Sequence, residues 1–291
     1  MPRGKTQRNR DLIAAAYDIL EAIQPASVRA VCYQLFIRGV IPNMSTQSTK
    51  RVSAQLVEAR ELDIIPWEWI VDETRSAERA QVWRDPAAYT RVVLNSYRRD
   101  FWDGQPVRLE VWSEKGTVRG TLAPVLNQFA ITFRVLHGFM SATVAYDICE
   151  QSQMDDRPLT ALYVGDYDPS GLYMSERDLP NRIERYDGEV NVERVALTAT
   201  DTLDPALPSF GADTKSRDSR YAWFVARYGT QCWELDAMNP VLLRERVAER
   251  IEQLIDRVAW ERYAQVEAGE RQSLIDVMNQ WPVLMRGPVR L

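Results

Sequence analysis

The stretch LYVGDYDPSGLY, residues 162–173, is an apolar run that ends on two aspartates, Asp166 and Asp168, and then on Pro169 and Gly171. Its length and composition suit a buried strand. Side chains at i and i+2 of a strand point the same way, so two carboxylates held there repel unless a cation lies between them. The pattern asks for a metal. Asp followed by Pro-Ser-Gly is also ordinary turn chemistry, so a capped turn is the alternative this stretch leaves open.

Similar β-rich runs lie on either side: VRLEVW (107–112), ITFRVL (131–136) and VNVERVALT (190–198). Helical patterns at TVRGTLAPVLNQF and SATVAYDICEQ separate the first of these from the second, and the second from the strand before Asp166. Strands alternating with helices of that length imply parallel crossovers, hence an α/β domain with a mainly parallel central sheet covered by helices. Ligands in such sheets gather beyond the carboxyl ends of the strands, where Asp166 and Asp168 fall. The run LEVWSEKGTV places Glu114 just past another strand end, while Glu110 sits inside that strand and offers support at most. Glu114, Asp166 and Asp168 together form a hard oxygen set of the kind that suits magnesium or manganese. After Thr198 the pattern predicts an irregular loop, a helix at SRYAWFVARYG, a short strand at QCWELDA and one long helix from about Pro240 to Gly269.

Toward the N-terminus, residues 8–23 carry apolar positions at helical spacing and stop before Pro25. A second helix starts on Ser27 as N-cap and runs to Gly39. A third, QSTKRVSAQLVEAREL, turns Val52, Leu56 and Ala59 inward, and IIPWEWIVDET (64–74) reads as an extended segment, followed by a helix near 86–102. Three helices and a short strand element are the order of a winged helix-turn-helix, a DNA-docking fold; a small helical domain that docks on its own chain has the same order.

The chain of 291 residues, 45% hydrophobic and 26% charged, is globular and long enough for two domains. No apolar run approaches the roughly 20 residues of a membrane span, and MPRGKTQRNR leads into an amphipathic pattern, so a cytoplasmic protein is expected. Cys32, Cys149 and Cys232 are far apart and lie in apolar patterns, as reduced core thiols do. The net charge of -5 argues against a protein that coats nucleic acid and leaves room for a local basic groove. Lysine occurs only at Lys5, Lys50, Lys115 and Lys215, an arginine bias better explained by genomic base composition than by phosphate binding.

A strand ending in Glu and a later strand ending in D-x-D before Gly resemble a Toprim domain, the metal-binding module of topoisomerases, primases and some nucleases. GDYDPSG is similar to the D-x-D-P-x-G of the topoisomerase VI A subunit and its meiotic double-strand-break relative, and SEKGTV to their Glu-Lys stretch. HGFMSATVAYD and CWELDAMNP are similar to two further segments, so the likeness covers most of residues 107–260. Met140 and Ala145 stand where the family has proline and arginine. The size is close to stand-alone Mini-A proteins. The resemblance implies a winged-helix (CAP-like) DNA-binding domain over residues 1–85 and a Toprim domain with a C-terminal helical extension over 86–291. It implies a tyrosine nucleophile in an Arg-x-x-x-Tyr pattern, matched here by Arg29 and Tyr33 in VRAVCYQLF; a spacing of four puts both on one helix face.

The activity so implied is breakage of double-stranded DNA by transesterification. Tyr33 attacks, Arg29 positions the phosphate, and Glu114, Asp166 and Asp168 hold the magnesium, with Glu114 also shuttling the proton of the leaving oxygen. A homodimer with shared sites is implied too. No G-x-x-x-x-G-K-[ST] occurs, so any ATPase or activating partner is a separate protein. Two other classes share these residues: a metal-dependent nuclease that uses water, as in defence against plasmids or phage, and a catalytically silent DNA-binding subunit. His137 reads as a packed or solvated side chain, Glu234 and Asp236 as an acidic pair outside the ligand set, and the basic loop Lys215–Arg220 as a solvated surface loop.

Overall fold

The structure, a computed structural model, describes residues 7–71, 82–136 and 142–284. His137, Phe139 and Met140 of the HGFMSATVAYD segment lie outside the described residues. The chain forms two compact units, one from Met1–Arg75 with Leu109–Gln253 and one from Ser76–Arg108 with Leu254–Leu291.

In the first unit, α1 (Gln7–Ile23) buries Leu12, Ile13, Ala16, Ile19, Leu20 and Ile23 along one face. After β1 (Ala26–Ser27), the Ser27 hydroxyl accepts the Ala30 N–H at 3.0 Å and starts α2 (Val28–Ile37). Gly39, at φ +70°, takes the left-handed conformation that ends it. Ser45 caps α3 (Thr46–Glu61), whose Val52, Leu56 and Ala59 are buried as the spacing predicts. These residues close one apolar core. The segment 64–74 differs from the extended reading: Trp67–Trp69 coil into a 3-10 turn, and β2 (Ile70–Val71) pairs parallel with β1. Aromatic packing supplies the reason, since Trp67 lies under the Arg60 guanidinium and Trp69 packs on Tyr17. Residues 72–74 lie outside the described residues.

In the second unit, α4 (Pro86–Ser96) stops short of the expected residue 102. The Arg271 guanidinium donates to the Leu94 and Tyr97 carbonyls and so ends it, and Phe101–Gly104 form a separate turn.

The α/β part follows the predicted alternation: β3 (Arg108–Ser113), α5 (Val118–Phe129), β4 (Thr132–Val135), α6 (Ala142–Gln153) and β5 (Leu159–Val164). The next connection, unread in the sequence, holds α7 (Pro169–Tyr173), a π turn at Met174–Asp178 and α8 (Leu179–Arg185) before β6 (Val190–Ala196). The sheet is parallel in the order β4-β3-β5-β6. Every residue of β5 is buried, as expected of a central strand covered on both faces. Because β3 and β5 are neighbours, the acids just past their carboxyl ends emerge on the same edge of the sheet.

Beyond β6, β7 (Ser209–Gly211) precedes α9 (Tyr221–Tyr228) and pairs antiparallel with β8 (Gln231–Trp233). The expected strand over 231–237 is cut short by a 3-10 turn at Leu235–Ala237. The expected single helix from Pro240 is two: α10 (Pro240–Leu254), largely in the first unit, and α11 (Arg257–Leu284), in the second. The break has a local cause. The Asp256 carboxylate accepts the Val258 and Ala259 N–H groups at 2.9 and 3.1 Å, as an N-cap does, while Gln105 holds the Asp256 backbone N–H at 2.7 Å. No helix among the described residues is long and apolar enough to cross a membrane.

Candidate metal centre

Asp166 and Asp168 flank Tyr167, which exchanges both backbone hydrogen bonds with Trp233 at 2.9 and 3.0 Å. The chain is therefore extended there, and the alternation that puts both carboxylates on one side persists beyond the end of β5. The capped-turn reading of the same stretch also holds. Asp168 Oδ1 accepts the Gly171 N–H at 2.7 Å and starts α7. Gly171 has no substitute in this turn, since a Cβ there would run into the Asp166 carbonyl.

Both aspartates are almost wholly buried, at 5% and 1% exposure. Buried carboxylates need partners, and each has a lysine. Lys115 Nζ lies 2.8 Å from Asp166 Oδ1, which also accepts the Leu235 N–H at 2.8 Å. Lys215 Nζ donates to Asp168 Oδ2. Burial pulls both ammonium groups down, yet the carboxylates outweigh it and raise them. Lys215 thus leaves the solvated-loop reading: it reaches in from the loop to close the acid cluster.

Glu114 follows β3 and makes no hydrogen bond or ion pair among the described residues. Its carboxyl is pushed up to about 7, first by burial and then by the charges of Asp166 and Asp168. The two aspartates thus act on Glu114 electrostatically. Among the described residues no three His, Cys, Asp or Glu side chains are grouped as an ion would require. With Lys115 and Lys215 in place, the aspartates are held by ammonium groups. Carboxylate oxygens are the donor type that suits a hard divalent cation, while the grouping such an ion requires is not formed among the described residues. Glu110 is elsewhere: its carboxylate takes the Arg134 guanidinium through two bonds of 2.8 Å and the Trp112 indole N–H at 2.6 Å.

Tyr33 and Arg29 do share a face of α2, with the guanidinium 5.6 Å over the ring. Tyr33 is 5% exposed, and its phenol is raised well above its ordinary value by burial and by Glu234. Arg29 is taken by Glu234, with Nε 2.5 Å from Oε2. Asp236 accepts from Ser27 Oγ at 2.9 Å and from Lys115 Nζ at 3.3 Å. Glu234 and Asp236 therefore join the N-terminus of α2 to the acid cluster, through Lys115 and on to Asp166.

Sequence reasoning missed Arg194. From β6 its guanidinium donates to the carbonyls of Gly165 and Asp166 at 3.2 Å, Leu197 at 2.9 Å and Gly171 at 2.5 Å, and its Nε to Ser175 Oγ at 3.0 Å. It also lies 4.9 Å from the centre of the buried Tyr163 ring. One partly buried side chain thus satisfies the carbonyls of the turn that carries both aspartates. Only a charged residue within the strand-like VNVERVALT could have signalled it. No protein-family model matches the chain, and no curated protein sequence matches it.

Proposed function

We propose that the chain is a DNA strand-breaking enzyme of the topoisomerase VI A-like class, a winged helix followed by a Toprim domain, acting on double-stranded DNA with magnesium or manganese. The observation that supports this reading is positional: Asp166 and Asp168, both buried, follow the end of β5 on one side of the chain, and Glu114 follows the end of the neighbouring strand β3. Acids gathered at strand ends work against stability even with lysine partners, a cost that a functional site accepts. Glu114, Asp166 and Asp168 would hold the ion, whose contribution when bound is to neutralise charge on the phosphodiester.

The chain's own groups would do the rest. The Tyr33 oxygen forms a bond to phosphorus as the bond from phosphorus to the 3′ oxygen breaks, leaving a tyrosyl phosphodiester at the DNA 5′ end. The phenol gives up its proton to water or a base, and Glu114 delivers one to the leaving oxygen. Arg29 exchanges Glu234 for the phosphate. The bond energy is conserved, so religation needs no cofactor. Two such sites on a duplex call for a homodimer, in which the tyrosine of one subunit works with the acids of its partner. A cytoplasmic location and any separate ATPase or activating protein belong to the same reading.

A second reading, the water-using nuclease, draws support from the burial of Tyr33 and the engagement of Arg29 by Glu234. The test incubates the protein with end-labelled duplex DNA and magnesium or manganese, then denatures it. Chelator-sensitive label that migrates with the protein supports the transesterase. Divalent-dependent cleavage with free ends supports the nuclease, and no cleavage by a protein that still binds DNA leaves the silent DNA-binding subunit.

A further inference from the structure

A cavity of about 270 Å³ is lined by the starts of α1 and α3 and by residues 40–43 between α2 and α3. Two arginines border it, Arg8 of α1 and Arg51 of α3, and no acid does. Arg51 is held by a neutral acceptor, its guanidinium 2.7 Å from Asn9 Oδ1, and Arg8 is exposed. Neither forms an ion pair among the described residues. Local bonds fix the rim: Asn43 Oδ1 accepts Ser48 Oγ at 2.9 Å and the Ser45 N–H at 3.1 Å. The charge at the cavity is therefore guanidinium charge, set on a fixed turn. The chain around it has the same sign. No acidic residue lies between Glu21 and Glu58, whereas Arg29, Arg38, Lys50 and Arg51 do, in a protein whose net charge is -5. Arg29 finds Glu234 across the fold; Arg38, Lys50 and Arg51 form no ion pair among the described residues. Segregated positive charge with nothing to neutralise it marks an anionic partner.

We propose that this cavity takes a phosphate of the DNA backbone, held between the Arg8 and Arg51 guanidinium groups. The inference rests on the DNA-binding part of the reading above and makes no use of the acids or of a metal. A guanidinium presents paired N–H donors that match phosphate oxygens, and two arginines without carboxylate partners are free to neutralise the charge of a phosphodiester. A polymer suits the site better than a free ion. Arg8 is exposed, as is Lys50 next to Arg51 in the chain, so one phosphate enters while the rest of the strand lies outside against basic surface. Such a contact fixes where the duplex lies and carries no base preference.

Binding of labelled duplex DNA is measured by fluorescence anisotropy over a range of salt, with chelator present so that no cleavage enters. Arg8→Gln combined with Arg51→Gln is expected to lower the slope of log affinity against log salt by about one, since both arginines hold the same phosphate, and to weaken binding at about 0.15 M salt roughly tenfold. The charge-matched control, Arg84→Gln with Arg185→Gln, removes two exposed arginines elsewhere and is expected to change neither. A double variant no weaker than this control overturns the site and leaves DNA binding in place. Because Arg51 also bonds Asn9, Arg8→Gln alone guards against misfolding: it is expected to weaken binding about threefold at an unchanged melting temperature, and unchanged binding overturns the site. Calorimetry with inorganic phosphate separates the sources. Phosphate binding that the double variant loses, at a DNA affinity equal to that of the wild type, assigns the cavity to a free phosphate and overturns the DNA contact. A wild type that binds no DNA overturns the site and the winged-helix reading together. The predicted slope change in a protein that cuts no DNA when divalent ions are restored upholds the site and overturns the strand-breaking reading alone.

Discussion

The strand-end acid cluster and the Tyr33 face of α2 lie in the same compact unit and are buried for opposite reasons. Around Tyr33, the neighbours on α2, Ala30, Val31, Cys32 and Leu35, are core residues, so burial follows from an apolar helix packed on α1 and α3. Around Asp168, burial gathers charges that repel one another, and the fold must add Lys115, Lys215 and Arg194 to hold them. Packing alone accounts for the first region. It does not account for the second, because an apolar turn in place of GDYDPSG would avoid both the repulsion and the desolvation. Arrangements that work against stability are where function is sought first.

The largest effect that can break the comparison is on DNA cleavage. Asp168→Asn keeps an oxygen to accept the Gly171 N–H while removing the charge, so the turn persists; divalent-dependent cleavage is expected to fall at least about a hundredfold. Retained cleavage would return Asp168 to a mere helix cap. Asp168→Ala loses the cap as well, and its denaturation midpoint should report about 1 kcal/mol of lost stability that Asp168→Asn does not show.

Glu114 sharpens the comparison through pH. Its carboxyl is held up at about 7 in the folded protein against an ordinary value of 4.5. Below the ordinary value both folded and unfolded chains carry the proton, and Glu114 costs nothing. Between the two values the unfolded chain ionises first, so the penalty grows with rising pH and is complete above about 7. Glu114→Gln removes it. In the absence of divalent ions the variant is expected to gain about 1–3 kcal/mol over the wild type at pH 8 and nothing at pH 4, measured by urea unfolding. An equal difference at both values would remove the charge coupling from the account.

The smallest expected effect concerns the glutamate inside β3. Glu110 belongs to Arg134 on β4 and Trp112 on β3, so Glu110→Gln should leave divalent-dependent cleavage within about twofold while costing up to about 1–3 kcal/mol of stability. Loss of cleavage in a stably folded Glu110→Gln would show that the wrong glutamate had been assigned.

The sheet was legible because its strands are short, β-rich and spaced by helical patterns, and the caps Ser27 and Ser45 carry a local signature. Asp256 carries the same signature, yet a continuous helical pattern on both sides hides it; the Gln105 contact that fixes the break comes from 151 residues away. Glu114, Asp166 and Asp168 could be named because each follows an apolar strand. Their partners could not. Lys215 is 47 residues from Asp168 and lies in a loop whose composition is that of any solvated loop, and Glu234 is 205 residues from Arg29. Pairing across such separations is set by how the sheet and its covering elements pack, which composition and periodicity do not encode. The connection between β5 and β6 was missed for a local reason: Pro169, Gly171 and Pro180 interrupt a helix that the chain nevertheless forms in two short pieces around a π turn.

The measurement that bears most directly on the proposed transesterase is the identity of the residue joined to DNA. Protein incubated with duplex DNA and manganese is denatured, digested with nuclease and protease, and its peptides are weighed. A nucleotide is expected on the peptide that carries Tyr33, absent from Tyr33→Phe and from chelated samples. Cut DNA together with an unmodified Tyr33 peptide, or full cleavage by Tyr33→Phe, would contradict it and leave the water-using nuclease.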